Sequence, residues 1–222
     1  MEKRFLRNIP AITEAEQTLL GQKTVAVVGC GGLGGYLIEF LGRVGVGTIR
    51  VIDGDGFEET NLNRQLISEP ALLGVNKAEA AAERLRRIAP ALCVEAHPLF
   101  LTAENAAALL AGCDLVLDGL DSAAARKTLA LACGELGIPF VFGAIGGWVA
   151  QAALCLPGDA LIHRLYPGDT EPENGSTLSF TPALCAAVQC SLAVRYLTGR
   201  QVESGVLCYF DLLHGEFEKM SM

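Results

Sequence analysis

The sequence contains no C-x-x-C pair, although eight of its 222 residues are cysteines. The nearest two, Cys185 and Cys190, are five positions apart, whereas structural zinc sites are usually built from more closely spaced pairs. We therefore predict no zinc site. We interpret the cysteines as buried, reduced, small apolar residues, which are typical of a cytoplasmic protein.

Basic residues are also scarce, with 17 Lys and Arg against 25 Asp and Glu and a formal net charge of −8. A surface of this sign repels phosphate backbones, which excludes a general nucleic-acid binder and requires any anion site to be built locally. The basic residues of the first ten positions are not followed by an apolar run, so we predict no export signal.

Charge is missing between Glu135 and Asp159, over a stretch long enough to cross a membrane. Glycines and prolines, among them Pro139, Gly143 and Pro157, interrupt this stretch. Because such residues mark turns and strand ends, the pattern predicts two buried strands joined by a turn and no membrane association.

Hydrophobic residues make up 51% of the chain, which supports one large core and a single domain over residues 1–222. Short apolar runs alternate with helical periodicity, and this alternation predicts a Rossmann-like α/β fold with a doubly wound, mainly parallel sheet. We expect strands at 24–28, 48–53, 93–100, 114–120 and 139–145, and helices at 33–44, 76–89, after Thr102, at 122–136 and at 183–197. A long loop is expected at 158–180, and C-terminal antiparallel strands at 206–213 and 216–220.

A glycine-rich turn follows the first strand and contains Gly29, Gly31, Gly32 and Gly34. A bare backbone at the start of a helix lets a phosphate or ribose approach, and the helix N-terminus attracts negative charge. Asp53 ends the second strand, nineteen positions after Gly34, where a carboxylate can accept hydrogen bonds from both ribose hydroxyls. The combination predicts a nucleotide site.

Polar residues cluster after Asp53 instead of a helix beginning at once, and Lys77 opens the next helix. Two cations and an amide beside a glycine-rich turn suit a triphosphate better than a dinucleotide, although Arg64 and Lys77 could also be solvated surface charges. The predicted contacts in this cluster are Asp55, Asn61, Arg64, Gln65 and Lys77.

Two acidic residues, Asp118 and Asp121, flank the end of the strand at 114–120. Strand ends are where ligands bind in open α/β sheets, and Mg²⁺ prefers one or two carboxylates plus phosphate oxygens. We predict that Asp121 binds the metal and that Ser122 adds a nucleotide contact. Asp118 either supports that site or caps the helix beginning at Ser122.

Together these residues resemble the ThiF/MoeB/HesA family, the bacterial relatives of ubiquitin-activating enzymes. The resemblance covers nearly the whole chain and lies in Lys77 and the motifs G-C-G-G-L-G-G, G-V-G-T-I-R-V-I-D-G-D, N-L-N-R-Q and D-G-L-D. It implies adenylation, with Mg-ATP, of the C-terminal Gly-Gly carboxylate of a small ubiquitin-like sulfur-carrier protein, releasing pyrophosphate. Residues 1–22 would form an N-terminal arm, 23–146 a nucleotide-binding half, and 147–222 a carrier-binding half with a crossover loop.

The resemblance also assigns roles to single residues. The segment R-F-L-R-N-I at 4–9 resembles a family motif whose second arginine reaches the ATP of the other subunit, which implies a homodimer with Arg7 as an arginine finger. Gly32 would pack under the nucleotide and Asp53 would hold the ribose. Asn61, Arg64 and Lys77 would contact phosphates, Gln65 would support them, and Asp121 would serve Mg²⁺.

The chain departs from the family in two places. Many members bind zinc through two C-x-x-C pairs, but the corresponding stretches here offer only His163 and His214, which we interpret as surface residues. Some members bond a loop cysteine to the carrier, whereas residues 166–182 have none and Cys185 begins an apolar helix. We expect a core cysteine there, and release of the carrier as its adenylate to a separate sulfur donor.

Two alternatives remain open at this stage. A nicotinamide-dependent oxidoreductase would explain the glycine-rich turn and Asp53, but it leaves Arg64 and Lys77 without a role. A dimeric scaffold could bind the carrier without turnover. The identity of the carrier, in thiamin synthesis, molybdopterin synthesis or elsewhere, is not encoded in these motifs.

Overall fold

One eight-stranded sheet organises the described part of the protein. The computed structural model describes residues 2–168 and 176–221. The strands are β1 Thr24–Val28, β2 Thr48–Ile52, β3 Cys93–His97, β4 Leu115–Asp118, β5 Phe140–Gly146, β6 Val149–Cys155, β7 Val206–Asp211 and β8 Glu216–Ser221. The helices are α1 Glu14–Leu20, α2 Gly32–Val44, α3 Lys77–Ile88, α4 Ala106–Leu110, α5 Ala123–Leu136, α6 Leu161–Leu165 and α7 Phe180–Leu197.

The strand order is β3-β2-β1-β4-β5-β6-β7-β8. The first five strands pair in parallel, and the last three are antiparallel to their neighbours. Side chains alternate across the sheet, so Val25 and Val27 pack against α2, α3 and α7, whereas Ala26 and Val28 face α4, α5 and α6. Both faces of the central strands are covered, as a doubly wound sheet requires. The predicted fold class is confirmed.

Helix α2 shows why the sequence folds this way locally. Leu33, Leu37 and Leu41 lie on one buried stripe against the sheet, and Gly45 ends the helix in the left-handed conformation at φ 95°. The predicted helix therefore ends where its glycine cap was expected.

Several boundaries differ from prediction, and β4 and β7 each end two residues before the predicted end, at Asp118 and Asp211. Strand β3 ends at His97 and not at residue 100, because its pairing with β2 ends at Ile52, and Leu99 and Phe100 beyond it are exposed. The expected long loop contains the short helix α6. Helix α7 begins three residues early, at Phe180, because Pro182 is compatible with a first helical turn. Within the predicted loop, residues 169–175 lie outside the described residues.

The uncharged stretch forms β5 and β6, as the glycines and prolines predicted. By length and apolar composition alone, helix α7 could cross a membrane, and half of that helix is buried within the protein. Its fully buried Gln189 donates to the carbonyls of Asp118 and Val141 beneath the sheet. Such packing is that of a core helix.

Candidate active site

A cavity of about 800 Å³ opens at the carboxyl ends of β1, β2 and β4, where the strand order reverses direction. It continues past the ends of β4 and β5 to the turn between β5 and β6. All of the predicted site residues line it except Arg7, Gly34 and Asn61. The topology therefore brings together positions that are far apart in the sequence.

The glycine-rich turn forms one wall of this cavity. Gly29 adopts φ 89°, a backbone conformation that residues other than glycine rarely adopt. Gly34 packs backbone to backbone, and a Cβ atom there would lie 1.8 Å from the carbonyl oxygen of Gly29. Gly32 differs, because the nearest atom to a Cβ there would be Cγ of Arg64, at 3.7 Å. Gly34 is thus needed for folding, whereas Gly32 has room within the protein alone.

These distances predict different effects for alanine at positions 34 and 32. We expect Gly34→Ala to be destabilised or unfolded, and Gly32→Ala to keep the melting temperature of the wild type within about 3 °C. A methyl group on the cavity wall at position 32 should instead weaken nucleotide binding. Thermal unfolding and ATP titration measure the two effects, and equal melting temperatures for both variants would contradict this division.

Asp53 lies at the base of the turn and is nine-tenths buried. Its carboxylate accepts hydrogen bonds from the backbone N–H groups of Cys30 at 2.6 Å and Asp55 at 2.8 Å. Burial raises the pKa of Asp53, while these two hydrogen bonds and the charge of Lys77 act against that rise. Each oxygen of the carboxylate keeps acceptor capacity for a ligand hydroxyl.

Both predicted cations, Lys77 and Arg64, line the cavity. Lys77 is buried at the start of α3, and its Nζ lies 3.2 Å from a carboxylate oxygen of Asp55. Arg64 is half-buried and donates to the Thr60 carbonyl and the Asn63 side chain. The predicted cationic wall is present, and Asp55 supplies the counter-charge of Lys77.

Asn61 holds the segment that carries Arg64 and Gln65. The side-chain oxygen of Asn61 accepts from the backbone N–H of Glu58, and its carbonyl accepts from the N–H groups of Arg64 and Gln65. In the described part of the chain, Gln65 Oε1 is buried without a hydrogen-bond partner. Here Asn61 orders the turn from outside the cavity lining, whereas Gln65 borders the cavity.

The end of β4 supplies the predicted metal ligand. Asp121 is exposed on the cavity wall, directly before Ser122, which caps α5 by accepting from the N–H of Ala125. Its carboxylate is the hard oxygen donor that Mg²⁺ prefers, so this position fits the ion. The capping alternative for Asp118 is wrong, because Ser122 is the cap.

Asp118 is instead fully buried and pairs with a residue that sequence reasoning missed, Arg126. The Arg126 Nε lies 3.2 Å from the Asp118 carboxylate, and its other nitrogens donate to Tyr166 Oη and the Leu120 and Gly143 carbonyls. Burial raises the pKa of Asp118, and the guanidinium opposes that rise. Arg126 follows Ser122 by one helical turn, on the otherwise apolar stripe of α5, and this was the available signal.

Cys185 behaves as the core cysteine that we expected. It is fully buried in α7, and its thiol donates to the Gln151 carbonyl at 3.2 Å. Burial raises the pKa of this thiol to about 12. A thiol held neutral in this way is a poor nucleophile at neutral pH.

Arg7 is exposed and lies at the opposite end of α2 from the cavity. The arm that carries it is fixed there, because Asn8 donates to the Val44 carbonyl and Phe5 packs beside Gly45. Helix α2 has 13 residues, about 20 Å at 1.5 Å per residue, and the glycine-rich turn is at its other end. Arg7 therefore lies far from the cavity of its own chain.

The two histidines considered for zinc, His163 and His214, lie in α6 and in the turn between β7 and β8. In the described ranges 2–168 and 176–221, no three His, Cys, Asp or Glu side chains are grouped as a metal site. His214 contacts Asp211 at 2.8 Å, which raises the pKa of the imidazole. The absence of zinc stays a prediction.

Known proteins resemble this chain in sequence and in fold. The chain is 32% identical to a sulfur carrier protein adenylyltransferase of Thermus thermophilus, over 96% of this chain and 84% of that protein. It is 32% identical to a SAMP-activating enzyme E1 of Haloferax volcanii, over 92% and 78% of the two chains. The crystal structure of E. coli MccB with ATP matches the fold with a TM-score of 0.80 at 19% identity, covering 100% of this chain and 72% of that one.

The chain combines a Rossmann-like sheet with a cationic cavity at the point where the strand order reverses direction. Relatives of the chain are named adenylyltransferases, which assigns the protein to this class of enzyme. A family model described as the ThiF family matches residues 4–222, so the chain belongs to the ThiF family. The resemblance read from the sequence is confirmed. These relatives favour adenylyl transfer over the nicotinamide alternative.

Proposed function

We propose that the protein uses Mg-ATP to adenylate the C-terminal Gly-Gly carboxylate of a small ubiquitin-like sulfur-carrier protein, releasing pyrophosphate. The observation that carries this proposal is the single cavity in which Asp53, Arg64, Lys77 and Asp121 border the glycine-rich turn. The names of the relatives support a carrier protein as the acceptor, since they include a sulfur carrier protein adenylyltransferase and a SAMP-activating enzyme.

The reaction needs charge neutralisation more than proton transfer. A C-terminal carboxylate has an ordinary pKa of about 3.5, so it is ionised at neutral pH and needs no general base. Its oxygen attacks the α-phosphorus, the bond to the bridging oxygen of pyrophosphate breaks, and pyrophosphate leaves with the electron pair. Arg64 and Lys77 stabilise the charge that develops on these phosphate oxygens.

Asp121 is the residue that would hold Mg²⁺, through its exposed carboxylate at the end of β4. The ion supplies further neutralisation of the phosphate oxygens. Asp55 keeps Lys77 within the cavity wall before the phosphates arrive, at a contact of 3.2 Å. Asp53 binds the ribose hydroxyls, because both of its oxygens are already oriented by backbone N–H groups.

The C-terminal Gly-Gly tail of the carrier enters through the part of the cavity beside the turn between β5 and β6. Beyond the nucleotide residues, this part is lined by Gly146, Val149 and Gln151 of the β5–β6 hairpin and by Thr177. The Thr177 carbonyl accepts from the side chain of Asn63, one position before Arg64. An extended Gly-Gly tail needs a narrow path without bulky side chains, and Gly146, which lines the cavity, suits that need.

We propose further that the active form is a cytoplasmic homodimer in which Arg7 completes the site of the partner subunit. The distance of Arg7 from its own cavity, with the arm fixed beside Gly45, supports a role in trans. The adenylated carrier would then pass to a separate sulfur donor, because Cys185 is buried and neutral.

Subunit mixing tests the shared site. Arg7→Ala and Arg64→Ala homodimers should each be nearly inactive, because every site lacks one of the two arginines. In a heterodimer, one of the two sites contains both arginines, so a randomly exchanged mixture should regain about a quarter of wild-type exchange activity. A mixture no more active than its components, once exchange is verified, would contradict a role of Arg7 in trans.

A further inference from the structure

Phe100 is a large aromatic residue on the cavity wall that the proposed reaction has not used. Its side chain is 60% exposed, and it borders the same cavity as Asp53. An aromatic ring exposed to this degree contributes little to the core, since its apolar surface remains in water. Its position on a ligand cavity therefore needs another explanation.

The ring lies directly over the backbone of Gly54, the residue that follows Asp53. A Cβ atom at Gly54 would lie 2.6–2.8 Å from three atoms of the Phe100 ring. This close approach places the aromatic ring beside the carboxylate that would hold the ribose. The base of a nucleotide is attached to that same ribose, so it must lie in this part of the cavity.

The surroundings of the ring suit a base better than a phosphate. Leu101, the next residue in the chain, and Leu120 also line the cavity, and both are apolar. The segment is also held in place, because Asn105 donates to the Phe100 carbonyl at 2.8 Å and accepts from the N–H of Thr102 at 2.8 Å. The ring is presented by a fixed backbone and not by a free loop.

We infer that Phe100 forms one wall of the nucleobase pocket and stacks on the adenine ring of ATP. This inference rests on the proposed function, because it takes ATP as the ligand. Stacking of a base on an aromatic side chain contributes to affinity and leaves the phosphate contacts of Arg64 and Lys77 unchanged. Phe100 is thus a binding residue for the base alone.

Calorimetric titration of Phe100→Ala with ATP and with inorganic tripolyphosphate separates these contributions. We expect the variant to bind ATP about tenfold more weakly, because it loses the stacking contact with the base, and to bind tripolyphosphate as the wild type does. Leu99→Ala is the matched control, because Leu99 is an exposed neighbour that does not line the cavity. It should bind both ligands normally.

Phe100→Trp gives a direct optical reading of the same contact. The protein has one tryptophan, Trp148, so the new indole can be compared with a simple background. ATP should quench its fluorescence, whereas tripolyphosphate should not. Unchanged ATP affinity in Phe100→Ala, or an equal loss for both ligands, would overturn the inference. A wild-type protein that does not bind ATP would contradict the proposed function, and this result is distinct from a loss of affinity confined to Phe100→Ala.

Discussion

Arg64→Ala is expected to reduce ATP–pyrophosphate exchange by about 10²–10³-fold, the usual loss when one donor to a developing oxyanion is removed. Arg64 lies on the cavity wall beside Gly32, so its guanidinium can contact the phosphates above the turn. The loss should appear in kcat more than in ATP affinity, because the charge it neutralises grows in the transition state.

The matched control is Arg87→Ala. Arg87 is an exposed arginine in the last turn of α3 and does not line the cavity. The Arg87→Ala substitution removes the same charge as Arg64→Ala, so nonspecific electrostatic effects would appear in both variants. Equal exchange rates for Arg64→Ala and Arg87→Ala would remove Arg64 from the mechanism.

Asp118→Ala is expected to cause a large loss of stability. It leaves the guanidinium of Arg126, which is 5% exposed, without its carboxylate partner. Breaking a buried ion pair in this way costs about 3–5 kcal/mol, which lowers the melting temperature of a chain of this size by roughly 10 °C. Thermal unfolding without nucleotide measures this loss directly.

Two further variants show whether burial is the cause. Glu83→Ala removes one partner of an exposed pair with Arg86 and should cost at most about 1 kcal/mol. The double variant Asp118→Ala/Arg126→Met removes both buried charges and should recover much of the lost stability. If Asp118→Ala were no more harmful than Glu83→Ala, the buried pair would not stabilise the junction of β4 and α5.

Most of the nucleotide half could be predicted because its signals are local. The apolar stripe of α2, the glycines before it and Asp53 after β2 each lie within one strand–turn–helix unit. Parallel strands then place such units at one edge of the sheet, which brings Lys77 and Asp121 to the same cavity without further information.

The residues that were missed depend on contacts between distant segments. Arg126 contacts Tyr166 and the Gly143 carbonyl, which are separated from it by 40 and 17 positions. The exposure of Phe100 depends on where β3 ends, and strand ends are the least certain part of a periodicity argument. Asn61 also orders a turn through its side-chain oxygen, and its predicted contact with a phosphate stays a prediction.

The most direct test of the central claim is ATP–pyrophosphate exchange with ubiquitin-like sulfur-carrier proteins ending in Gly-Gly, each assayed beside a form lacking the final glycine. We expect at least one intact carrier to support exchange that depends on Mg²⁺, and its truncated form to support none. Exchange that proceeds equally without a carrier, or that no Gly-Gly carrier supports, would contradict activation of the C-terminal carboxylate.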